Sequence, residues 1–144
     1  MFGNYKNLLV PVDGSEQSEN SFRKAVEIAQ RNDAKLILVH VHDQRNVTIA
    51  PEYTPLHARD FQTDYDTSFM DEYSKIAQET GVAVESRALN GNPMTLIEDS
   101  LPKEYEADLI IIGATGKGAV TRALVGSVSD YVVKNAKTDV LVVR

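Results

Sequence analysis

The chain has 144 residues, enough for one domain with one core; 42% are apolar and 25% charged, a balance that argues against long disorder. The net charge of −6, from 15 basic and 21 acidic side chains, argues against a general nucleic-acid binder and against docking on anionic membranes, since both need a basic face. The absence of cysteine excludes disulfides, thiol catalysis and cysteine-based metal sites.

No apolar run approaches the ~20 residues of a membrane span. The opening Met1-Phe-Gly-Asn-Tyr-Lys-Asn7 lacks a signal-peptide pattern and leads into a strand, so the expected location is cytoplasmic. The first strand is the apolar run Leu8–Val12, followed by a turn and cap at Asp13-Gly14-Ser15. Phe22, Ala25, Val26 and Ala29 recur at helical spacing and predict a helix from about Ser15 to Arg31. Leu36–Val41 is the second strand. A long polar stretch follows from His42 to about Arg59, with Pro51 and Pro55 inside it, and is expected to be either a lid over a ligand or disordered.

Tyr65, Phe69, Tyr73, Ile76 and Ala77 form the stripe of a second helix that Gly81 ends. Val82–Ala88 alternates like a third strand. Asn92-Pro93 is a cap with proline in the first turn, opening a third helix marked by Met94, Ile97 and Leu101. Leu109–Ile112 is the fourth strand, Ser127–Ala136 the fourth helix and Val140–Val143 the fifth strand. Strands alternate with helices, and most strands are continuous apolar runs. That predicts a single α/β domain over residues 1–144, a doubly wound five-stranded parallel sheet covered by helices on both faces.

In such sheets ligands bind at the carboxyl ends of the strands where the winding reverses. With strand order 3-2-1-4-5 the reversal lies between the first and fourth strands. The loops meeting there contain Pro11, Val12, Asp13 and Gly14 on one side and Gly113 to Gly116 on the other. Gly113 and Gly116 would expose backbone N–H groups to phosphate oxygens, and Gly126 and Ser127 would set a helix N-terminus beneath the same phosphates. The hydroxyls of Ser127 and Ser129 could donate to phosphate, and Lys117 and Arg122 could neutralise charge. Asp13 could accept a ribose hydroxyl or help hold Mg²⁺, and Val41 could meet the base. Each residue also has a plain structural reading: Asp13 and Ser15 as turn and cap, Gly113 as a tight turn, Gly126-Ser127 as an ordinary helix start. Taken together, on these elements, they point to a nucleotide site.

The glycine loop is not a Walker A motif, because Gly118 follows Gly116-Lys117 where Ser or Thr would hold Mg²⁺. It is not the dinucleotide fingerprint, because it follows the fourth strand rather than the first. A receiver domain would need a phosphoacceptor Asp after the third strand, and Arg87-Ala-Leu-Asn-Gly-Asn92 has none. His40 and His42 share a strand face and could bind metal, but no third ligand is evident, and solvent-facing histidines fit as well. The acidic group Asp60, Asp64, Asp66, Asp71 and Glu72 suits a solvated helix start.

Over nearly its full length the chain resembles the universal stress protein family. The residues that carry the resemblance are Leu8-Leu-Val-Pro-Val-Asp-Gly-Ser15, Gly91-Asn-Pro93 and the segment from Gly113 to Arg144. The last contains Gly113, Gly116, Gly126 and Ser127 in the family's G-x2-G-x9-G-[S/T] signature. The resemblance implies ATP binding with Mg²⁺ or Mn²⁺. It places Pro11, Val12 and Asp13 near ribose and phosphates, the Val41 backbone at adenine, and Gly113, Thr115, Gly116, Gly126, Ser127, Val128 and Ser129 around the phosphates. Many members have His where this chain has Thr115, which removes an imidazole contact. Members commonly form homodimers through the last strand, here Val140, Leu141, Val142 and Val143; the alternative is that this strand is buried by the protein's own helices.

Two functions compete. One is a nucleotide-responsive regulator of the stress response, acting as a homodimer through an unidentified protein partner, without nucleic acid or membrane. The other is an enzyme at the same site, a slow ATPase or a phosphoryl or nucleotidyl transferase. Only Asp13 can be placed there as a catalytic carboxylate, with no paired acid and base, so the regulator is the expected function and no catalytic residue is assigned. A nucleotide-free interaction protein is disfavoured by the intact signature.

Overall fold

The computed structural model describes residues 3–43, 67–115 and 125–144. In chain order the elements are β1 (Asn7–Pro11), α1 (Glu16–Asn32), β2 (Lys35–Asp43), α2 (Ser68–Glu79), β3 (Val84–Gly91), α3 (Pro93–Thr95), a π-helical turn (Leu96–Ser100), α4 (Leu101–Tyr105), β4 (Leu109–Gly113), α5 (Ser127–Asn135) and β5 (Asp139–Val143). The strands form one parallel sheet in the order β3-β2-β1-β4-β5, as expected from the sequence. Among the described residues no helix is long and apolar enough to cross a membrane.

The apolar runs are continuous because each strand feeds a core on both faces. Leu8, Val10, Leu36, Leu38, Leu109 and Ile111 point to the face covered by α1 and α2, where they meet Phe22, Ala25, Ala29 and Tyr73. Phe22 and Tyr73 stack with ring centroids 4.5 Å apart. The alternate residues Leu9, Ile37, Val39, Ile110 and Ile112 meet Ile97, Leu101 and Val132 on the opposite face. At the amino end of the sheet, Asp108 accepts the N–H groups of Lys6 and Asn7 at 2.8 and 3.0 Å, tying β1 to the start of β4.

α1 starts where Ser15 accepts the Ser18 N–H at 3.2 Å, and Gly14 before it has φ 81°, a left-handed conformation that suits glycine. The helix ends at Asp33, which is left-handed with its N–H bonded to the Ala29 carbonyl. The third predicted helix is instead three segments. Pro102 has no N–H to give and crowds the carbonyl one turn back, and the π-helical turn ends at Ser100, two residues before it.

Two strands, β2 and β3, differ from the sequence expectation by two residues or more at an end. β2 runs on to Asp43, so His42 lies in a strand and not in the loop; its register partner Asn90 extends β3 alongside it. β3 begins at Val84 rather than Val82. Val82 is buried in the α1–α2 core below the strand, whereas Glu85 to Ala88 are exposed because β3 is the sheet edge. The predicted polar loop beyond Asp43, the acidic residues Asp60, Asp64 and Asp66, and Tyr65 fall outside the described residues.

Candidate functional site at the switch point

β1 is flanked by β2 on one side and β4 on the other, so the chain winds outwards in both directions from the β1–β4 pair. The carboxyl ends of these two strands therefore face the crevice where ligands of doubly wound folds bind. Pro11 and Val12 are buried there, and the Val12 N–H is bonded to the Val39 carbonyl at 2.8 Å. The Val12 carbonyl lies 2.9 Å from His40 Nδ1. A carbonyl only accepts, so Nδ1 carries the proton and the tautomer of the neutral ring is fixed. His40 also stands edge-on to Phe69, with centroids 5.7 Å apart.

Asp13 makes an Asx turn, its Oδ1 accepting the Ser15 N–H at 2.9 Å, and its own N–H donates to Ser18 Oγ at 3.2 Å. Asp13 thus takes the turn role that its place before Gly14-Ser15 suggests. Val41 is half-buried in β2, near the same end of the sheet. Among the described residues no three His, Cys, Asp or Glu side chains are grouped so as to hold a metal ion.

The exit of β4 and the start of α5 are fastened together. The Gly126 N–H donates to the Ala114 carbonyl at 2.6 Å, and the Ala114 N–H donates to the Val143 carbonyl at 2.8 Å. Ser129 is buried and donates its hydroxyl to the Gly113 carbonyl at 2.6 Å. Ser129 is therefore a fastener in this arrangement, and its hydroxyl hydrogen is already committed, contrary to the expected donation to phosphate. Gly113 also has a packing reason to be glycine. A Cβ there would lie 3.1 Å from the backbone carbon and oxygen of Gln17, tighter than most side-chain contacts, so the α1 backbone would have to shift by a few tenths of an ångström to admit it.

The N-terminus of α5 is different. Its N-cap is Gly126, which has no side chain to cap it, and the first amide bonded back into the helix is Asp130, to the Gly126 carbonyl at 2.9 Å. The amides of Ser127, Val128 and Ser129 precede that bond. α1 and α3 are capped by Ser15 and Asn92, and α2 shares the lack of a side-chain cap, but it is α5 that starts beside the exit of β4 at the switch point. Thr115 is half-buried, with its N–H donating 2.7 Å to Gln17 Oε1. Gln17 was not singled out from the sequence; in the linear chain it is one polar residue among several in the first turn of a helix. Gly116, Lys117 and Arg122 lie outside the described residues.

The universal stress protein family model matches residues 4–144. The chain belongs to the universal stress protein family. A Staphylococcus haemolyticus protein named after the same family is 43% identical over 146 residues, covering 97% of this chain and 85% of that one. Among solved structures, universal stress protein UspA from Lactobacillus plantarum superposes with a TM-score of 0.87 at 32% identity, covering 99% of this chain and 100% of that one. A universal stress protein in complex with cAMP superposes with a TM-score of 0.69 at 29% identity, covering 99% and 98%. This family member shares the fold across its whole described length.

Proposed function

We propose that this universal stress protein is an ATP-binding regulator, with residues 1–144 as one nucleotide-binding domain. The observation that carries the reading is the uncapped N-terminus of α5, held beside the exit of β4 at the sheet's switch point. Three backbone N–H groups and the positive end of the helix dipole suit a phosphate group. The amides of Ser127, Val128 and Ser129 take the phosphates, with the Ser127 hydroxyl beside them. Gly126 keeps the approach open, and Gly113 and Thr115 shape the β4 side. Gly116 belongs to the same set through the family signature. Pro11, Val12 and Asp13 form the wall at ribose, and Asp13 assists Mg²⁺ or Mn²⁺ that arrives with the nucleotide. The Val41 backbone meets the adenine. A relative of the same fold that holds an adenine nucleotide, cAMP, supports this reading.

β5 is the last strand of the sheet, with Val140, Leu141, Val142 and Val143 only half-buried, and Val133 on the preceding helix is 50% exposed. A strand that ends the sheet among the described residues, next to apolar surface, favours pairing with a second copy, so the proposed state is a homodimer through β5. Nucleotide occupancy would then be read by a protein partner that distinguishes the two states.

The test is to purify the protein without added nucleotide, release what it holds with acid, and identify it by ion-exchange chromatography. Near-stoichiometric ATP supports a regulator with little turnover. Mostly ADP favours the slow ATPase or transferase reading. Empty protein that also fails to bind added Mg²⁺-ATP contradicts both.

A further inference from the structure

Of the bonds that hold the exit of β4, one comes from a side chain on the opposite side of the sheet's winding. Gln17 stands in the first turn of α1, yet its Oε1 accepts the Thr115 N–H at 2.7 Å across 98 residues of sequence. The partner is an N–H, so the amide oxygen and not its nitrogen must face it. The Gln17 backbone is also the surface against which Gly113 packs, at 3.1 Å from an added Cβ. One residue thus touches the glycine loop twice, once through its main chain and once through its amide. Thr115 is the last described residue before Val125, and among the described residues the other bonds at the strand exit reach Gly113 and Ala114. Gln17 therefore holds the end of the described strand exit at Thr115.

We propose that Gln17 is a positioning residue for the phosphate end of the nucleotide site. By satisfying the Thr115 amide it holds the exit of β4, from Gly113 to Thr115, in place before a ligand arrives, a preorganisation that favours binding. The proposal rests on the nucleotide reading above. It requires no contact between Gln17 and the ligand. Its effect is on phosphate affinity, because Thr115 borders the phosphate side and the adenosine wall is built from β1 and β2.

The test compares the parent with Gln17→Leu, which keeps the size but has no acceptor, and Gln17→Glu, which restores an acceptor oxygen. Amide hydrogen exchange at Thr115 in ligand-free protein reads the holding directly. It should accelerate about tenfold in Gln17→Leu, the scale of one net hydrogen bond, and return to the parent rate in Gln17→Glu. Titration with Mg²⁺-ATP should show about tenfold weaker binding by Gln17→Leu, with adenosine affinity within about twofold of the parent. An unchanged Thr115 exchange rate, unchanged ATP affinity in a parent that binds ATP, or equal losses for ATP and adenosine would each overturn the proposal while leaving the nucleotide reading standing. A parent that binds neither ATP nor adenosine would instead bring down the nucleotide reading, and the positioning role with it.

Discussion

The Ser129 hydroxyl donates to the Gly113 carbonyl at 2.6 Å, fastening the first turn of α5 to the last residue of β4. Both residues are buried, so removing the donor strands a carbonyl away from water. Ser129→Ala should lower stability by about 1–3 kcal/mol, measured as a shift in the urea midpoint at unchanged slope. A loss below a few tenths of a kcal/mol would mean that the fastening is weak.

Gly113 tests the closeness of α1. Its Cβ would sit 3.1 Å from the Gln17 backbone, and backbone cannot move aside as a side-chain tip can. Gly113→Ala should destabilise by about 1–3 kcal/mol through overpacking. It should also shift the amide resonances of Gln17 and Thr115, whereas an alanine accommodated without change would leave both in place.

Asp13 separates turn geometry from charge. Asn can accept the Ser15 N–H as Asp does, so Asp13→Asn should melt within a few degrees of the parent. If the carboxylate assists a nucleotide-bound cation, the same variant should lose most of the gain in ATP affinity that Mg²⁺ gives the parent. An equal Mg²⁺ effect in both proteins would remove Asp13 from the metal.

His42 gives the fold a pH dependence. Burial, then the nearby His40, push its imidazole below the ordinary 6.5, and Asp43 pulls it partly back. The unfolded chain therefore takes up the proton first as pH falls. The stability from this group is complete above about pH 6.5 and is lost as pH drops through the folded-state value. His42→Asn should flatten the fall in melting temperature between pH 7 and pH 5; a parent-like slope would assign that fall to other groups.

The parallel sheet covered on both faces was legible because the apolar runs of β1, β2 and β4 have no polar alternation, which only a sheet buried on both faces allows. The candidate site was placed from the sequence for a related reason: Asp13-Gly14 and Gly113 sit just where those runs stop. What could not be read from single positions was which polar groups serve the fold. Ser129 has the same chemistry whether it meets a phosphate or a carbonyl, and only the placement of α5 on β4 decides for the carbonyl. Gln17 left no local signal, because its partner is 98 residues away. Strand 3 was misplaced at its start because Val82 contributes to the core without being in the strand.

The central claim, that phosphate sits on the N-terminus of α5, is tested most directly by titrating Mg²⁺-ATP into the parent and Gly126→Val side by side. Gly126 has φ −63° and ψ 160°, a conformation valine adopts freely, so the variant is expected to fold. The account predicts one ATP per chain in the parent and affinity weakened at least about tenfold by the added side chain, as expected when close backbone approach is blocked. Equal ATP affinity in the two folded proteins would contradict it.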